Sequence, residues 1–512
     1  MLAKTFSAVL YGVEAHLIDV EVDLSQGLPM LSIVGLPDLA VKESKDRLRS
    51  AIKNTGFHFP VKKITINLAP ADLKKEGSAF DLPMALGILA AEGIVDEAML
   101  KKYIVVGELS LDGRIKGIKG ALPIAVLCKK KRGMEGLIVP AKNGDEAAVV
   151  SGIKVLGMQT LPQVVEWLNG KQPVDPTKVN LEALLAKQSQ YPEDYAEVKG
   201  QAHAKRALEI AAAGGHNLLM VGPPGSGKTM LAKRFPSILP KMGFEESLES
   251  TQVHSVVGLL SPEHPLLFVR PFRAPHHTIS DAGLIGGGQI PRPGEVSLAH
   301  NGVLFLDELP EFKRNVLEVL RQPLEEGRVT IARATASLSY PAQFMLVAAM
   351  NPCPCGYFTD PQRNCVCTPM AIQRYRARVS GPLLDRIDLH IEVPAVPFKE
   401  LTIEARDESS EAIRKRVQVA RAYQETRYKT EGIRCNAQLR PRQLKQFCKI
   451  DAPSKRLVEM AMERLGLSAR AYNRILKVAR SIADLEQRET ISTGDVSEAV
   501  QYRSLDRTIF AG

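Results

Sequence analysis

The residues with the clearest chemistry form a glycine-rich segment near the middle of the chain. A short apolar run, Asn217–Val221, leads directly into Gly222–Thr229, and a helical pattern begins at Met230. This is the pattern G-x-x-x-x-G-K-[ST] between a strand and a helix, the context in which it binds phosphates. Backbone N–H groups and Lys228 would surround the phosphates of ATP, and the Thr229 hydroxyl would bind Mg²⁺. The phosphate loop consists of Gly222, Pro223, Pro224, Gly225, Ser226, Gly227, Lys228 and Thr229.

A second motif supplies two carboxylates. Gly302–Glu308 is an apolar strand pattern that ends in Asp307 and Glu308. Ligands bind at the carboxyl ends of parallel strands, so we expect both carboxylates beside the phosphate loop. Asp307 would hold Mg²⁺ through water, and Glu308 would act as general base on the attacking water. Binding alone does not need Glu308, so its presence favours hydrolysis.

A third strand pattern, Phe344–Met350, ends at Asn351. An amide beside the γ-phosphate could orient the attacking water, because it both donates and accepts hydrogen bonds. An asparagine after a strand is otherwise ordinary turn chemistry. Since the two preceding motifs are present, we interpret Asn351 as part of the same site.

Four cysteines follow Asn351 closely. Cys353, Cys355, Cys365 and Cys367 form two C-x-C pairs in a segment rich in proline and glycine. Four thiolates could complete a tetrahedral structural zinc site that locks this loop. The spacers are shorter than in most zinc motifs, so reduced cysteines without a metal are the alternative. Catalytic zinc is not indicated, since no histidine or glutamate supplies a further ligand.

The elements that must position these groups divide the 512 residues into domains. Residues 1–170 alternate strand and helix patterns and predict an N-terminal α/β domain. The polar segment 171–190 is interpreted as a linker. Residues 191–398 predict a second α/β unit that contains the phosphate loop, and 399–512 carry almost only helical patterns. The predicted fold class is therefore multidomain α/β with a helical C-terminal domain.

Composition narrows the class of protein. Hydrophobic residues make up 45% and charged residues 24%, as in ordinary soluble domains. We find no apolar run near the ~20 residues that cross a bilayer, and no leader cleavage site, so we expect a cytoplasmic protein without membrane contact. The seven cysteines do not match a secreted disulfide scaffold. The net charge of +10 is compatible with polyanionic partners but identifies none.

Longer strings carry a family resemblance. GPPGSGKT, VLFLDELPEF, AAMNPCPCGY and SGPLLDRIDLHIEVP resemble the Mg-chelatase-like AAA+ proteins of bacteria, specifically the ComM/YifB family. The resemblance covers essentially the whole chain. It implies a hexameric ring ATPase with a P-loop α/β core and a helical lid, which uses ATP and Mg²⁺. It further implies a DNA helicase that promotes branch migration when incoming DNA recombines during natural transformation.

Two arginines are assigned through this resemblance. Arg386 in LLDRID matches the arginine finger, which reaches the γ-phosphate held by a neighbouring subunit. Arg470 in LSARAYNRIL matches the second sensor arginine of the lid, with Arg474 one turn later as the fallback. A structural salt bridge is the alternative for each arginine.

Two segments are candidates for DNA contacts. Gly286–Arg292 is a loop tip at the position of the helix-2 insert of related motors. Arg328–Arg333 followed by Ser337–Tyr340 predicts a β-hairpin that resembles the pore hairpin of MCM-type rings. Arginines there would bind phosphates without reading sequence, while an exposed hairpin with solvated arginines is the alternative. The residues assigned to DNA are Gln289, Arg292, Arg328 and Arg333.

The first domain resembles the Lon-protease C-terminal fold, a ribosomal protein S5 domain 2-like α/β domain. Peptidase chemistry is not indicated, because Leu122 stands where Lon-type enzymes carry lysine and Ser78 would lack a base. Ring assembly or DNA binding are the roles we expect for it. The partners implied for the whole chain are single-stranded or branched DNA, copies of itself and recombination proteins. The alternative function is a Mg-chelatase-like or protein-remodelling motor that acts on a protein partner.

Overall fold

The N-terminal part of the chain is organised by strands with regular alternation. In the computed structural model, the strand Glu14–Ser25 buries Ile18, Val20 and Val22, while the acidic residues between them stay partly exposed. Alternation with period two places successive side chains on opposite faces of a sheet. The buried face packs against the helix Asp81–Ala91, which is buried along almost its whole length.

The structure describes residues 1–181, 191–288, 291–333, 336–358, 360, 363–396 and 407–505. The chain divides into two units, each with its own hydrophobic core. The first unit is Met1–Lys187 with Ser247–Leu267, and the second is Gln188–Glu246 with Phe268–Gly512. Among the described residues, no helix has the length and apolar character needed to span a membrane.

The first unit contains a seven-stranded mixed sheet, a separate two-stranded hairpin and helices. Its strands are β1 (Leu2–Tyr11), β2 (Glu14–Ser25), β3 (Met30–Val34), β4 (Lys63–Ala69), β5 (Tyr103–Val105), β6 (Glu108–Leu109), β7 (Ile115–Lys116), β8 (Gly136–Pro140) and β9 (Lys154–Met158). The sheet order is β3-β4-β2-β1-β5-β8-β9, with β2 antiparallel to β1 and β4, and β6 and β7 form a separate small hairpin. Its helices are Leu39–Asn54, Asp81–Ala91, Glu97–Leu100, Ala121–Lys130, Gly144–Ala148 and Leu161–Leu168, together with most of Phe244–Val257.

Two side chains bear on the Lon-like expectation for this unit. Ser78 donates a hydrogen bond to the carboxylate of Glu108, and Leu122 is buried in the helix Ala121–Lys130. The α/β character of the unit agrees with the sequence patterns. Its likeness to the Lon-type fold stays a prediction.

One segment joins the first unit from further along the chain. From the sequence, Ser247–Leu267 falls within the predicted domain 191–398, but it packs with the first unit. Ser255 Oγ donates to the buried Glu146 carboxylate at 2.5 Å, and Asn143 Nδ2 donates to the same group at 2.9 Å. A buried carboxylate needs such donors, and this segment supplies one of them through Ser255. The sequence patterns did not indicate this long-range contact.

The second unit is built on a parallel sheet of five strands in the order β11-β14-β17-β10-β18. Its strands are β10 (Leu218–Val221), β11 (Phe272–Arg273), β12 (Gly286–Gly287), β13 (Arg292–Pro293), β14 (Val303–Leu306), β15 (Arg328–Arg333), β16 (Ala336–Pro341), β17 (Met345–Met350) and β18 (Leu389–Glu392). The pairs β12–β13 and β15–β16 are antiparallel hairpins outside the main sheet. The parallel α/β core predicted around the phosphate loop is confirmed.

Helices surround this sheet and continue to the C-terminal end of the described chain. They are Ala202–Gly214, Lys228–Arg234, Asp281–Ile285, Glu295–Leu298, Arg314–Glu318, Arg321–Glu326, Pro369–Arg376, Gly381–Leu384, Ser410–Arg427, Pro441–Phe447, Ala452–Leu465, Ala469–Leu485 and Thr493–Gln501. The short 3₁₀ helices of the chain are Ala141–Asn143, Tyr195–Glu197, Phe235–Ile238, Leu309–Glu311 and Asn436–Gln438. The helical character predicted for the C-terminal region is confirmed. Its Val417 and Leu476 lie in one core cluster with Leu218 and Met220 of the sheet.

Candidate functional site

The phosphate loop has the local geometry that its glycines require. Strand β10 ends directly before the loop, and the helix Lys228–Arg234 begins at its last residues. Gly225 and Gly227 adopt φ values of +77° and +90°, where residues with side chains are strained. A side chain on Gly222 would collide with the carbonyl oxygen of Val393. The loop conformation therefore depends on glycine at these three positions.

Lys228 is buried among oxygens. Its Nζ lies 2.8 Å from each of two loop carbonyl oxygens and 3.3 Å from Asn351 Oδ1. Burial lowers the pKa of Lys228 to about 8, although Asp307 and Glu308 oppose the shift. A phosphate beside the ammonium would stabilise its charged form. The residues present therefore fit a nucleotide phosphate.

The two predicted magnesium ligands lie together although 78 residues separate them in the chain. Thr229 Oγ1 donates to Asp307 Oδ2 at 2.6 Å, and Asp307 Oδ1 accepts from the Glu308 backbone N–H at 2.9 Å. A hydroxyl and a carboxylate are the oxygen ligands that Mg²⁺ uses in phosphate sites. The pair fits a Mg²⁺ ion bound together with the phosphates.

Glu308 has an unusual backbone. Its φ of +51° and ψ of +47° place it in the left-handed region, which non-glycine residues seldom adopt away from functional sites. Its side chain is 58% exposed, and Oε2 lies 3.6 Å from Nδ1 of His277. The carboxylate is thus open to solvent on one side and close to an imidazole on the other.

Sequence reasoning missed His277. His277 and the adjacent His276 lie at a turn, with ring centroids 4.1 Å apart. The His277 ring also meets Phe312 edge-on at 6.4 Å. Only its position shortly after strand β11 could have indicated proximity to the strand ends.

Gln201 was missed as well. Its backbone is left-handed, and its Nε2 donates to the carbonyl oxygens of Ser226 at 3.3 Å and Pro394 at 2.6 Å. It therefore fixes the backbone of the phosphate loop against the chain that follows β18. The string VKGQAHAKRAL at the entry to this unit contains it, but no spacing rule identifies the role.

Asn351 follows β17, and its contact with Lys228 brings the third motif to the same place. Strands β14, β17 and β10 are neighbours in the sheet, so their carboxyl ends present Asp307, Asn351 and the phosphate loop side by side. This arrangement can bind a nucleoside triphosphate with Mg²⁺ and place a carboxylate near an attacking water.

The predicted arginines differ in their surroundings. Arg386 is 5% exposed, is paired with the Glu325 carboxylate and donates to the Pro382 carbonyl oxygen at 2.6 Å. Burial lowers the pKa of Arg386, although Glu325 opposes the shift. In the single chain, Arg386 therefore takes part in a structural salt bridge. Arg470, by contrast, is exposed at the start of the helix Ala469–Leu485.

Arg474, the fallback for Arg470, belongs to a buried network. It is paired with Asp388 and donates to the Arg386 carbonyl oxygen at 3.1 Å. Burial alone would raise the pKa of the Asp388 carboxyl, but Arg474 and His216 hold it below its ordinary value. This environment favours a structural role for Arg474.

The four cysteines predicted as a zinc site come together. Their Sγ atoms all lie within 4.8 Å of one another, and all four thiols are free. Three of the Sγ–Sγ distances are 3.3 Å for Cys353–Cys355, 3.6 Å for Cys355–Cys365 and 3.7 Å for Cys353–Cys365. We call these four residues the thiol cluster. Among the described residues, these four side chains lie close enough together to hold one metal ion.

The hairpin predicted from Arg328–Arg333 and Ser337–Tyr340 is confirmed as β15–β16, paired from Arg328↔Pro341 to Arg333↔Ala336. Arg328 is largely exposed and lies 3.7 Å from Glu326. Arg292 is exposed on β13. Gln289 and the side chain of Arg333 lie outside the described residues.

The two hairpins form one surface. The Tyr340 hydroxyl donates to the Pro291 carbonyl oxygen at 2.7 Å, and burial raises the pKa of Tyr340 to about 12. A Cβ on Gly286 would lie 2.8 Å from Ile331 Cδ1, so the backbone of one hairpin touches a side chain of the other. We call β12–β13 and β15–β16 together the hairpin surface.

Known protein families and individual proteins are similar to this chain in sequence. Family models match residues 194–401 (magnesium chelatase, subunit ChlI), 20–143 (subunit ChlI of Mg-chelatase) and 407–503 (magnesium chelatase, subunit ChlI C-terminal). The chain is 46% identical to competence protein ComM of Haemophilus influenzae, over 99% of this chain and 98% of the relative. It is 46% identical to YifB of Escherichia coli, over 97% and 96%. The chain is 25% identical to magnesium-chelatase subunit ChlI-2 of Arabidopsis thaliana, over 40% of this chain and 43% of the relative.

Proposed function

This chain belongs to the ComM/YifB family of Mg-chelatase-like AAA+ proteins, and we propose that it is a motor that hydrolyses ATP to move along DNA. The observation that carries the proposal is the meeting of three motifs at one edge of a parallel sheet. Identity to a competence protein along the whole chain supports DNA as the substrate polymer.

The proposal of hydrolysis rests on the positions of five side chains. Lys228 and the backbone of the phosphate loop would bind the β- and γ-phosphates, while Thr229 and Asp307 would hold Mg²⁺. Glu308 would remove a proton from the water that attacks the γ-phosphate, since its carboxylate is exposed beside the loop. Asn351, 3.3 Å from Lys228, would orient that water.

DNA binding is proposed for the hairpin surface. The Tyr340–Pro291 hydrogen bond joins the two hairpins, so they would present their arginines to DNA together. Arg292 and Arg328 are exposed on this surface and would bind backbone phosphates. Arg333 and Gln289 remain candidates on the basis of the sequence.

The active assembly is proposed to be a hexameric ring. Arg386 would act as the arginine finger only after assembly opens its pair with Glu325, because that pair occupies the guanidinium in the single chain. Arg470 is exposed and would serve as the sensor arginine, while Arg474 stays paired with Asp388. The ring would drive branch migration during recombination of incoming DNA, with recombination proteins as further partners.

A second candidate function is a motor that remodels a protein partner, as a chelatase-type subunit would. It is favoured by the three family models, all of which describe magnesium-chelatase subunits. The two candidates differ in their polymer. A DNA motor loses DNA affinity steeply with salt, whereas a protein remodeller shows little such dependence.

The test is the steady-state ATPase rate of the full chain without DNA, with single-stranded DNA and with a branched duplex. We expect DNA to stimulate hydrolysis, and the Glu308→Gln variant to show neither basal nor stimulated activity. Strand exchange past a junction, followed on a labelled four-way substrate, would then establish branch migration. ATP hydrolysis that no DNA changes would refute the DNA motor and favour the protein remodeller.

A further inference from the structure

The geometry of the thiol cluster fits a tetrahedral metal centre. A zinc–thiolate bond is about 2.3 Å, so two sulfurs of a regular tetrahedron lie about 3.8 Å apart. The Sγ–Sγ separations of 3.3, 3.6 and 3.7 Å are close to this value and far longer than a disulfide bond. We infer that Cys353, Cys355, Cys365 and Cys367 hold a Zn²⁺ ion, and that this centre fixes the phosphate loop for nucleotide binding.

Backbone donors already point at the sulfurs. The N–H of Cys355 donates to Cys367 Sγ at 3.4 Å, and the N–H of Phe358 donates to Cys353 Sγ at 3.3 Å. Hydrogen bonds of this kind stabilise thiolates and orient them around a metal. On coordination the four thiols release their protons to solvent, and Zn²⁺ with four thiolates carries a net charge of −2.

A cation lies beside the cluster. Arg376 Nε donates to the Pro352 carbonyl oxygen at 3.0 Å, and its guanidinium lies 4.8 Å from the centre of the Phe358 ring. Both contacts are with residues that flank the cysteines in the chain. The guanidinium can therefore offset the negative charge of a four-thiolate centre without displacing a ligand.

The link to the nucleotide site is a direct contact. Gly356 follows Cys355 with a φ of +88°, and a Cβ there would lie 2.7 Å from Cγ of Pro224. The backbone between the first and second cysteine pairs thus rests against the proline ring of the phosphate loop. There is no room for a side chain at this contact, so the position of the cysteines constrains the position of the loop.

A second link runs through Asn351. This residue lies two positions before Cys353, and its Oδ1 is 3.3 Å from Lys228 Nζ. The segment that carries the thiol cluster therefore touches the phosphate loop both at Asn351 and at Gly356. Two sites joined in this way are linked thermodynamically: if zinc favours the loop geometry that binds nucleotide, nucleotide also favours zinc.

The experiment uses the full chain and needs no DNA, so its result is independent of the proposed motor function. Zinc content is measured by mass spectrometry, and the Kd of a fluorescent ATP analogue is measured before chelation, after chelation and after Zn²⁺ is restored. We expect about one zinc ion per chain. Chelation should weaken nucleotide binding about tenfold, a typical coupling, and added Zn²⁺ should restore it.

Variants separate the metal site from general damage. Cys365→Ser with Cys367→Ser should lose zinc and reproduce the chelated affinity, while Cys128→Ser, whose buried thiol lies in the other unit, should keep both. Gly356→Ala tests the contact: it should weaken nucleotide binding even when zinc is retained. Circular dichroism and thermal unfolding of each variant report whether the chain is folded.

Three results would overturn the inference. The first is wild-type protein that holds no zinc after dialysis against Zn²⁺. The second is a chelated, folded protein whose nucleotide affinity equals that of the zinc-loaded protein. The third is a folded Gly356→Ala variant with unchanged affinity for the nucleotide, which would remove the contact as the route of coupling.

Discussion

The nucleotide site and the hairpin surface belong to the same unit but are built by different means. At the nucleotide site, buried strands β10, β14 and β17 end side by side, and each presents one motif. On the hairpin surface, exposed arginines stand on two short hairpins outside the main sheet. The proposed hydrolysis would thus depend on positions fixed by the core, whereas the proposed DNA binding would depend on exposed charge. Substitutions of the motif residues should therefore have large effects at the first region, whereas substitutions at the second should have small, graded effects.

Glu308→Gln should have the largest effect of the substitutions described. A small effect would contradict the difference between the nucleotide site and the hairpin surface. The amide keeps the shape of the side chain but cannot accept the proton, so kcat should fall about 100-fold or more. The Kd of the nucleotide should change much less, because the substitution leaves Lys228 in the phosphate loop and the Thr229–Asp307 pair in place. Single-turnover hydrolysis and nucleotide titration give the two values.

A matched control is available three residues away. Glu311 is similarly exposed and is paired with Arg378. Glu311→Gln makes the same chemical change outside the strand end and should leave kcat near the wild-type value. Equal losses in both variants would mean that the unit responds to any loss of charge, and the general-base role would fail.

The pH dependence of nucleotide binding tests the lowered pKa of Lys228. Its pKa of about 8 lies below the ordinary value, so the apo protein loses this proton as pH rises through 8. The charged form binds phosphate, and nucleotide affinity should therefore be highest below pH 8 and fall by up to about tenfold per pH unit above it. Isothermal titration between pH 7 and pH 9.5 measures this. In Lys228→Met the affinity should be low and nearly independent of pH over that range.

The same residue has a consequence for stability with the opposite sign. Because the folded-state pKa of Lys228 lies below its unfolded value, the buried charge destabilises the apo fold at pH values below about 8. This destabilisation disappears as the pH rises from about 8 toward the pKa of Lys228 in the unfolded chain. Nucleotide binding and apo stability should therefore change in opposite directions between pH 8 and pH 10.

The sequence predicted those parts of the fold that depend on contiguous patterns. Apolar runs before Gly222, Asp307 and Asn351 indicated parallel strands, and the shared edge of such strands indicated that the motifs meet. The β15–β16 hairpin followed from two adjacent strand patterns. These features need only local periodicity and the general geometry of parallel sheets.

Features that depend on distant partners were not predictable. Ser247–Leu267 belongs to the first unit, where Ser255 donates a hydrogen bond to the buried Glu146. The periodicity of apolar residues does not predict such a hydrogen bond. His277 lies 3.6 Å from Glu308 because the turn after β11 places it there. The burial of Arg386 against Glu325 likewise depends on how the helices pack. In each case the deciding contact joins residues that the sequence does not relate.

His277→Ala should have a smaller effect than Glu308→Gln. The contact with Glu308 is long, at 3.6 Å, and partly exposed, so it should contribute at most about 1 kcal/mol, or up to about fivefold in rate. We expect kcat to fall by this amount with KM for ATP unchanged, because His277 would position the base and not the phosphates. His276→Ala is the control, since His276 contacts Thr278 instead. A change in KM alone would contradict the positioning role.

The smallest effect is expected on the hairpin surface. Arg328→Gln removes one exposed cation, so the slope of log affinity for DNA against log salt should decrease by about one unit while ATP hydrolysis without DNA stays unchanged. Arg114→Gln is a close control: Arg114 is an exposed arginine of the other unit, paired like Arg328 with an acid two residues before it. The control removes the same charge. If both variants reduce the slope equally, DNA senses the net charge of the chain; if only Arg328→Gln does, a phosphate lies at the hairpin, as the contrast between the two regions requires.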